Sequence, residues 1–184
     1  MTVERRRGFT LWLTGLSGAG KTTLAKAVER TLHAAGRPVE ILDGDEVRHA
    51  LGGDLGYGYD ARVLNMRRIG YLAQLLSRNG VAVIVASMSP YRSVREEIRR
   101  THATPFLEAF IDCSLEELIR RDTKGLYAKA RDGKIGNVIG VSDPYEPSAK
   151  PDLHLRTDLA SEEECVAAIM RALADRELMV PRPH

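Results

Sequence analysis

The segment Phe9-Thr10-Leu11-Trp12-Leu13-Thr14-Gly15-Leu16-Ser17-Gly18-Ala19-Gly20-Lys21-Thr22-Thr23 constrains the fold of this chain more than any other. An apolar strand runs into a G-x-x-x-x-G-K-T loop, and a helical pattern follows. Gly15, Gly18 and Gly20 let backbone N–H groups close around an anion, because glycine tolerates positive φ and carries no Cβ to block the approach. The helix beyond presents its positive end to the same anion. Lys21 then reaches the outer phosphates of a nucleoside triphosphate, and the Thr22 hydroxyl holds Mg²⁺. Gly15, Leu16, Ser17, Gly18, Ala19, Gly20, Lys21, Thr22 and Thr23 are therefore the candidate ATP site.

Composition narrows what such a site can serve. With 184 residues, 43% hydrophobic and 28% charged, the chain has the length and balance of one globular domain with a real core. A net charge of +2 gives no basis for general nucleic-acid binding. No apolar run has the length of a membrane span, and Met1 to Arg7 lacks the apolar stretch of a secretion signal, so a cytoplasmic protein is expected. Cys113 and Cys165 have no metal-ligand spacing and read as buried free thiols.

Strand and helix patterns alternate along the rest of the chain. Lys21 to Ala35 is a predicted helix with Leu24, Val28 and Leu32 on one stripe, and Val39 to Leu42 a short strand. That strand ends in Asp43-Gly44-Asp45, at the crevice where open α/β sheets bind ligands. Asp45 is a candidate metal or base carboxylate there, and equally a candidate N-cap for the helix that carries Arg48. A glycine-rich loop with Tyr57 precedes a helix over Asp60 to Arg78, whose stripe of Ile69, Leu72 and Leu76 extends backwards to Asn65 and Arg62. Two polar residues on a core-facing side need partners, either an anionic ligand or an internal salt bridge.

Val81 to Ala86 reads as a central parallel strand, ending in Ser87-Met88-Ser89-Pro90. Ser89 there is either the cap of the next helix or a substrate contact. Phe106 to Cys113 is another strand, followed by a capping-box-like start at Ser114. From about 121 to 151 the sequence turns basic and is broken by Gly and Pro, which is expected of a functional lid. A strand at Asp152 to Thr157 and a helix at Ser161 to Arg176 complete the pattern, and the tail from Val180 to His184 is expected to be loose. The expected architecture is a three-layer α/β/α P-loop fold, a mostly parallel five-stranded sheet with a lid, in a single domain over 1–184.

No guanine-reading N-K-x-D motif occurs, and cationic residues on the lid join Arg48, Arg62 and Asn65 facing the cradle. That is the layout of a small-molecule kinase, where a lid keeps water from competing as acceptor. The ordered set of motifs resembles the adenylylsulfate kinase family. It comprises Gly15 to Thr23, Leu42-Asp43-Gly44-Asp45 with Val47-Arg48, and Leu55-Gly56-Tyr57, then Arg62 with Asn65 and Arg67-Arg68-Ile69-Gly70. Ser89-Pro90-Tyr91-Arg92, Lys124-Gly125-Leu126-Tyr127 and Asp143-Pro144-Tyr145-Glu146 follow.

The resemblance implies transfer of the γ-phosphate of ATP to the 3′-hydroxyl of adenosine 5′-phosphosulfate (APS), with Mg²⁺, in a homodimeric enzyme. It marks Lys21, Asp45 and Ser89 as catalytic, Thr22 and Asp45 for the metal, and Asp45, Arg48, Tyr57, Arg62, Asn65, Met88, Ser89, Lys124, Val138 and Ile139 for the acceptor. Ser89 matches a serine that family descriptions label a phosphoserine intermediate, whereas a single in-line transfer needs only positioning and charge neutralisation, with Ser89 as a contact. The lid reads Asn137-Val138-Ile139-Gly140 where the family often has Asn-Phe-Thr-Gly, so one face of an aromatic clamp is absent. Two alternatives stand beside this one: a related kinase acting on another nucleotide-linked anion, and a nucleotide-dependent regulator without turnover.

Overall fold

A computed structural model describes residues 7–53, 55–122, 125–131, 138–141 and 143–179. Its strands are β1 (Phe9–Thr14), β2 (Val39–Asp43), β3 (Ala82–Ala86), β4 (Phe106–Asp112) and β5 (Leu153–Arg156). All pairings are parallel, in the order β2-β3-β1-β4-β5. β1 is central and all six of its residues are buried, as its uninterrupted apolar character requires of a strand covered on both faces.

Parallel strands need crossover connections, and here helices supply them on both faces. α1 (Lys21–Ala34) and α7 (Glu162–Asp175) cover one face, where Leu24, Val28, Leu32, Ile169 and Leu173 pack against Leu11, Leu13, Ile84 and Ile111. α3 (Tyr59–Ser77) and α4 (Arg92–Thr101) cover the other, where Val63, Met66, Ile69, Val94 and Ile98 meet Trp12, Val83 and Val85. The alternation of residues along β1 between the two cores is the two-residue period of a strand. α2 (Gly44–Leu51) and α5 (Leu115–Arg121) are short helices that follow β2 and β4.

Several local details differ from expectation. The N-cap of α2 is Asp43, which accepts from Asp45 N at 2.9 Å, so Asp45 sits inside the first turn rather than before it. Ser89 caps nothing: α4 begins after Tyr91, and Ser89 is 1% exposed with φ 39°. Ser114 precedes α5 without a side-chain cap bond, whereas Ser161 and Glu164 form a full capping box on α7. The lid region contains a helix, α6 (Leu126–Arg131), that its glycines concealed. Asp122 fixes its first turn, accepting from Tyr127 N and Ala128 N. Both cysteines are free and buried, and burial pushes both thiols up in pKa, which leaves them protonated and unreactive. No described helix is long and apolar enough to cross a membrane.

One half-buried group ties the stability of this fold to pH. His102 Nε2 lies 2.9 Å from Thr10 Oγ1, with its ring edge-on to Phe106, and burial pushes its pKa down to about 4. The unfolded chain takes up that proton first, near the ordinary value of about 6.5. The contribution of neutral His102 is therefore complete above that pH and is lost as pH falls toward the folded value. Urea midpoints across this window should fall with acidification, and His102→Gln should make the fall shallower; an unchanged slope would contradict this assignment.

Candidate active site

The loop between β1 and α1 has the geometry an anion cradle needs. Gly15, Gly18 and Gly20 all hold positive φ, at 154°, 80° and 96°. A Cβ at Gly15 would stand 2.1 Å from the Ile111 carbonyl oxygen, so no larger residue fits where the strand turns into the loop. Lys21 Nζ donates to the Gly15 and Leu16 carbonyls at 2.9 and 2.7 Å, which folds the ammonium over the mouth of the loop. Thr22 Oγ1 donates to Asp43 Oδ2 at 3.1 Å. The Asp43 carboxylate thus has two tasks, capping α2 with one oxygen and meeting the phosphate-loop hydroxyl with the other. β2 lies two places from β1 in the sheet, and α2 approaches β3 closely: a Cβ on Gly44 would be 2.8 Å from Ser87 Oγ.

These groups open into a cleft of about 1220 Å³. One end is Ser17, Gly18, Gly20, Lys21, Thr22 and Thr23. The other carries Asp45, Arg48, Tyr57, Arg62, Asn65, Met88, Ser89, Val138 and Ile139. Except for Lys124, which lies outside the described residues, every residue expected to bind the acceptor lines this one cavity. Arg48 stacks its guanidinium over the Tyr57 ring at 5.1 Å and donates to the Gly56 carbonyl at 2.8 Å, which holds the glycine-rich loop against α2. Arg62 pairs with Asp143 at 3.1 Å, and its side chain is only 12% exposed. The internal salt bridge and the ligand-facing position thus coincide. Asn65 is buried at the wall of the cleft, and its Oδ1 has no partner among the described residues. Such an acceptor is costly to leave unfilled, and a hydroxyl on a bound ligand would satisfy it.

The lid contributes two contacts to the phosphate loop. Tyr127 of α6 donates its hydroxyl to the Ser17 carbonyl at 2.9 Å. In the turn at 138–143, Gly140 has φ 88°, and a Cβ there would meet Leu16 Cδ2 at 2.7 Å. Val138 and Ile139 are buried beside it. Behind this turn lies a separate cavity of about 550 Å³, lined by Phe110, Cys113, Val141 and Tyr145 among others. Its charged lining residues are two acids, Asp112 and Asp143, whereas Lys21, Arg48, Arg62 and Arg121 line the larger cleft, which suits a phosphate-bearing ligand better.

Sequence reasoning left three contributors unassigned. Asp43 has no role of its own in the sequence pattern, although its position at the end of β2 is the signal. Arg121 lines the cleft beside Leu126 and donates to the Thr157 carbonyl at 2.9 Å; it is the first residue of the basic segment. Met66, one residue beyond Asn65, also lines the cavity and stands outside the stripe read from the sequence.

The donor set suits a hard cation bound together with phosphates. Thr22 Oγ1 and the carboxylates of Asp43 and Asp45 offer oxygen donors at one cleft, and among the described residues no cluster of three or more His, Cys, Asp or Glu forms a complete protein cage. Mg²⁺ is held in this way, by one or two carboxylates plus substrate phosphates.

Comparison with known proteins agrees with the geometry. Residues 7–156 match the family model described as adenylylsulphate kinase. The adenylyl-sulfate kinase of Chloroflexus aurantiacus is 50% identical over 179 residues, covering 97% of this chain and 96% of that protein. The structure of the Mycobacterium tuberculosis APS kinase in complex with AMPPNP and APS superposes with a TM-score of 0.87 at 40% identity, covering 92% of this chain and 99% of that one. A hexameric APS kinase from Thiobacillus denitrificans has a TM-score of 0.73 at 31% identity, covering 97% of this chain and 31% of that one. A match that spans most of the sequence, over a cleft of this composition, leaves one conclusion: this chain belongs to the adenylylsulphate kinase family.

Proposed function

We propose that this protein transfers the γ-phosphate of ATP to the 3′-hydroxyl of adenosine 5′-phosphosulfate, giving ADP and the 3′-phosphorylated product. The observation that carries this reading is the single cleft in which a phosphate cradle faces Arg48, Tyr57, Arg62 and Asn65 across a space of nucleotide size. Family membership narrows the acceptor to the sulfated nucleotide.

The loop amides and Lys21 bind the β- and γ-phosphates of ATP. Thr22 and Asp45 would hold Mg²⁺ brought with ATP, with Asp43 beside them, and the ion would supply charge neutralisation at the transferred group. Asp45, in the first turn of α2, accepts the proton of the 3′-hydroxyl or orients that hydroxyl for attack. Arg48 and Arg62 take the phosphosulfate, Asn65 the ribose, and Tyr57 stacks on the adenine. Met88, Val138 and Ile139 line the acceptor end, and Lys124 bridges charge as the lid of about 121–151 closes. Ser89 acts as a contact and not as a phosphoryl carrier. Its Oγ accepts from Trp12 Nε1 at 2.9 Å, and the residue is 1% exposed, so supporting a single in-line step. The chain functions as one kinase domain, in the cytoplasm, as a homodimer.

An ADP-release assay with Mg-ATP and APS, run beside ATP alone and ATP with CMP- or CDP-linked anions, tests the reading. Release that requires APS supports it. Release only with another nucleotide reassigns the acceptor, and tight ATP binding without release from any acceptor leaves a regulator.

A further inference from the structure

The strap at 143–148 leaves the acceptor end of the cleft and crosses β4 toward the base of the phosphate loop. Asp143 holds Arg62, and two residues later the Tyr145 hydroxyl lies 2.9 Å from Thr14 Oγ1. Thr14 is the last residue of β1, immediately before Gly15, and is fully buried. Its own proton goes to the Met88 carbonyl at 2.8 Å, which leaves its oxygen to accept from Tyr145. Burial pushes the Tyr145 phenol up to about 12, so the hydroxyl remains a donor at any working pH. Ser89 Oγ lies 3.2 Å from the same Thr14 oxygen and 3.1 Å from the Ser87 carbonyl, the two acceptors its proton serves, and takes the Trp12 indole N–H.

Ser89 is where this network ends, and its backbone needs restraint. A φ of 39° is uncommon for a residue with a Cβ and persists only where the surroundings over-determine it. Trp12 and Thr14 fix the Ser89 side chain, and Arg95 Nη1 donates to its carbonyl at 2.6 Å. Arg95 also donates to the Glu146 carbonyl at 2.6 Å, so strap and strained turn share one buried guanidinium. Met88 and Ser89 line the acceptor end of the cleft, while Thr14 supports the donor end.

Resting on the kinase reading above, we propose that Tyr145 is a positioning residue for phosphoryl transfer: its hydroxyl, through Thr14, fixes the Met88–Ser89 turn at one spacing from the phosphate loop. In-line transfer is sensitive to that spacing, since reacting atoms must be held at near-attack distance. The role belongs to the hydroxyl alone. The Tyr145 ring has separate packing, stacked on Phe110 with centroids 5.9 Å apart and under Arg95 at 5.7 Å, and Tyr145→Phe keeps both.

The test is a double-mutant cycle of Tyr145→Phe and Thr14→Val, read by steady-state kinetics, binding of a non-hydrolysable ATP analogue, urea denaturation and tryptophan emission. Trp12 is the sole tryptophan, and its N–H sits on Ser89, so its emission reports the turn without any turnover. Tyr145→Phe should lower kcat about fivefold to tenfold, the scale of one lost hydrogen bond. ATP-analogue affinity should stay unchanged, the Trp12 emission should shift, and the double variant should lose no more than the worse single one. Losses that multiply, kcat within twofold of wild type in Tyr145→Phe, or an unaltered Trp12 emission would overturn the proposal. If Thr14→Val does not fold, the kcat and emission of Tyr145→Phe decide. A wild-type protein inactive toward APS would sink the kinase reading, and the emission measurement would still judge the positioning.

Discussion

Asp45→Asn is expected to lower kcat for APS phosphorylation by about 10²–10⁴-fold, the range of a lost general base. The substitution keeps the volume of the side chain and leaves the cap of α2 intact, because that cap is the Asp43 carboxylate bonded to the Asp45 backbone N–H. Metal-free ATP binding should therefore survive largely unchanged, since the loop amides, Lys21 and Thr22 are untouched, whereas the tightening by Mg²⁺ should weaken because Asp45 also stands at the ion. Calorimetry with an ATP analogue separates the two effects: retained affinity with lost turnover places the carboxylate in the chemical step. Turnover within threefold of wild type would move proton acceptance to another group, with Asp43 the neighbour to test next.

Lys21→Met should have an effect of similar size, about 10²–10³-fold in kcat, because it removes a fixed positive charge from the position where phosphoryl oxygens gain charge. Its signature differs in binding. The ammonium now sits on the Gly15 and Leu16 carbonyls, where the two loop oxygens hold it within reach of an incoming phosphate. Without it ATP loses a charge-assisted partner, so the KM for ATP should rise as kcat falls. The stabilisation ATP confers on the fold should shrink accordingly: a ligand at a hundredfold its Kd adds about 2.7 kcal/mol, and thermal denaturation with and without ATP measures the loss. An ATP-induced shift in Tm equal to that of wild type would show that Lys21 does not touch the nucleotide.

These expectations rest on features that differ in how plainly the sequence displays them. The phosphate loop and the strands β1, β3 and β4 are local: an apolar run, a turn that only glycine can make, and a helix stripe. The parallel character of the sheet follows because helices supply the crossovers that parallel strands demand, whereas its order, β2-β3-β1-β4-β5, is set by packing between distant segments. Asp43 was harder to read. Two acids one residue apart look equivalent on paper, and only the backbone at the start of α2 decides that Asp43 caps while Asp45 lies in the first turn.

The rest was hidden because it depends on contacts between distant segments. Ser89 carries the pattern of a helix cap, yet the Trp12 indole and the Thr14 hydroxyl, from another strand, draw its side chain into the interior. Arg95 sits on a strongly charged helix and would pass for a surface residue. It is instead 1% exposed, paired with Glu108 at 3.1 Å beneath the strap. Breaking such a pair leaves a buried charge without its partner, a loss of about 3–5 kcal/mol. α6 was hidden for a related reason, since its start depends on Asp122 and its position on the bond from Tyr127 to Ser17.

The most direct measurement compares APS with its 3′-deoxy analogue as acceptor, following ADP release and the mass of the nucleotide product. Transfer to the 3′-oxygen requires Mg-ATP-dependent turnover with APS, a product heavier by one phosphoryl group, and no turnover with the deoxy analogue. Equal turnover of the two acceptors, or ADP release without a phosphorylated nucleotide, would contradict it.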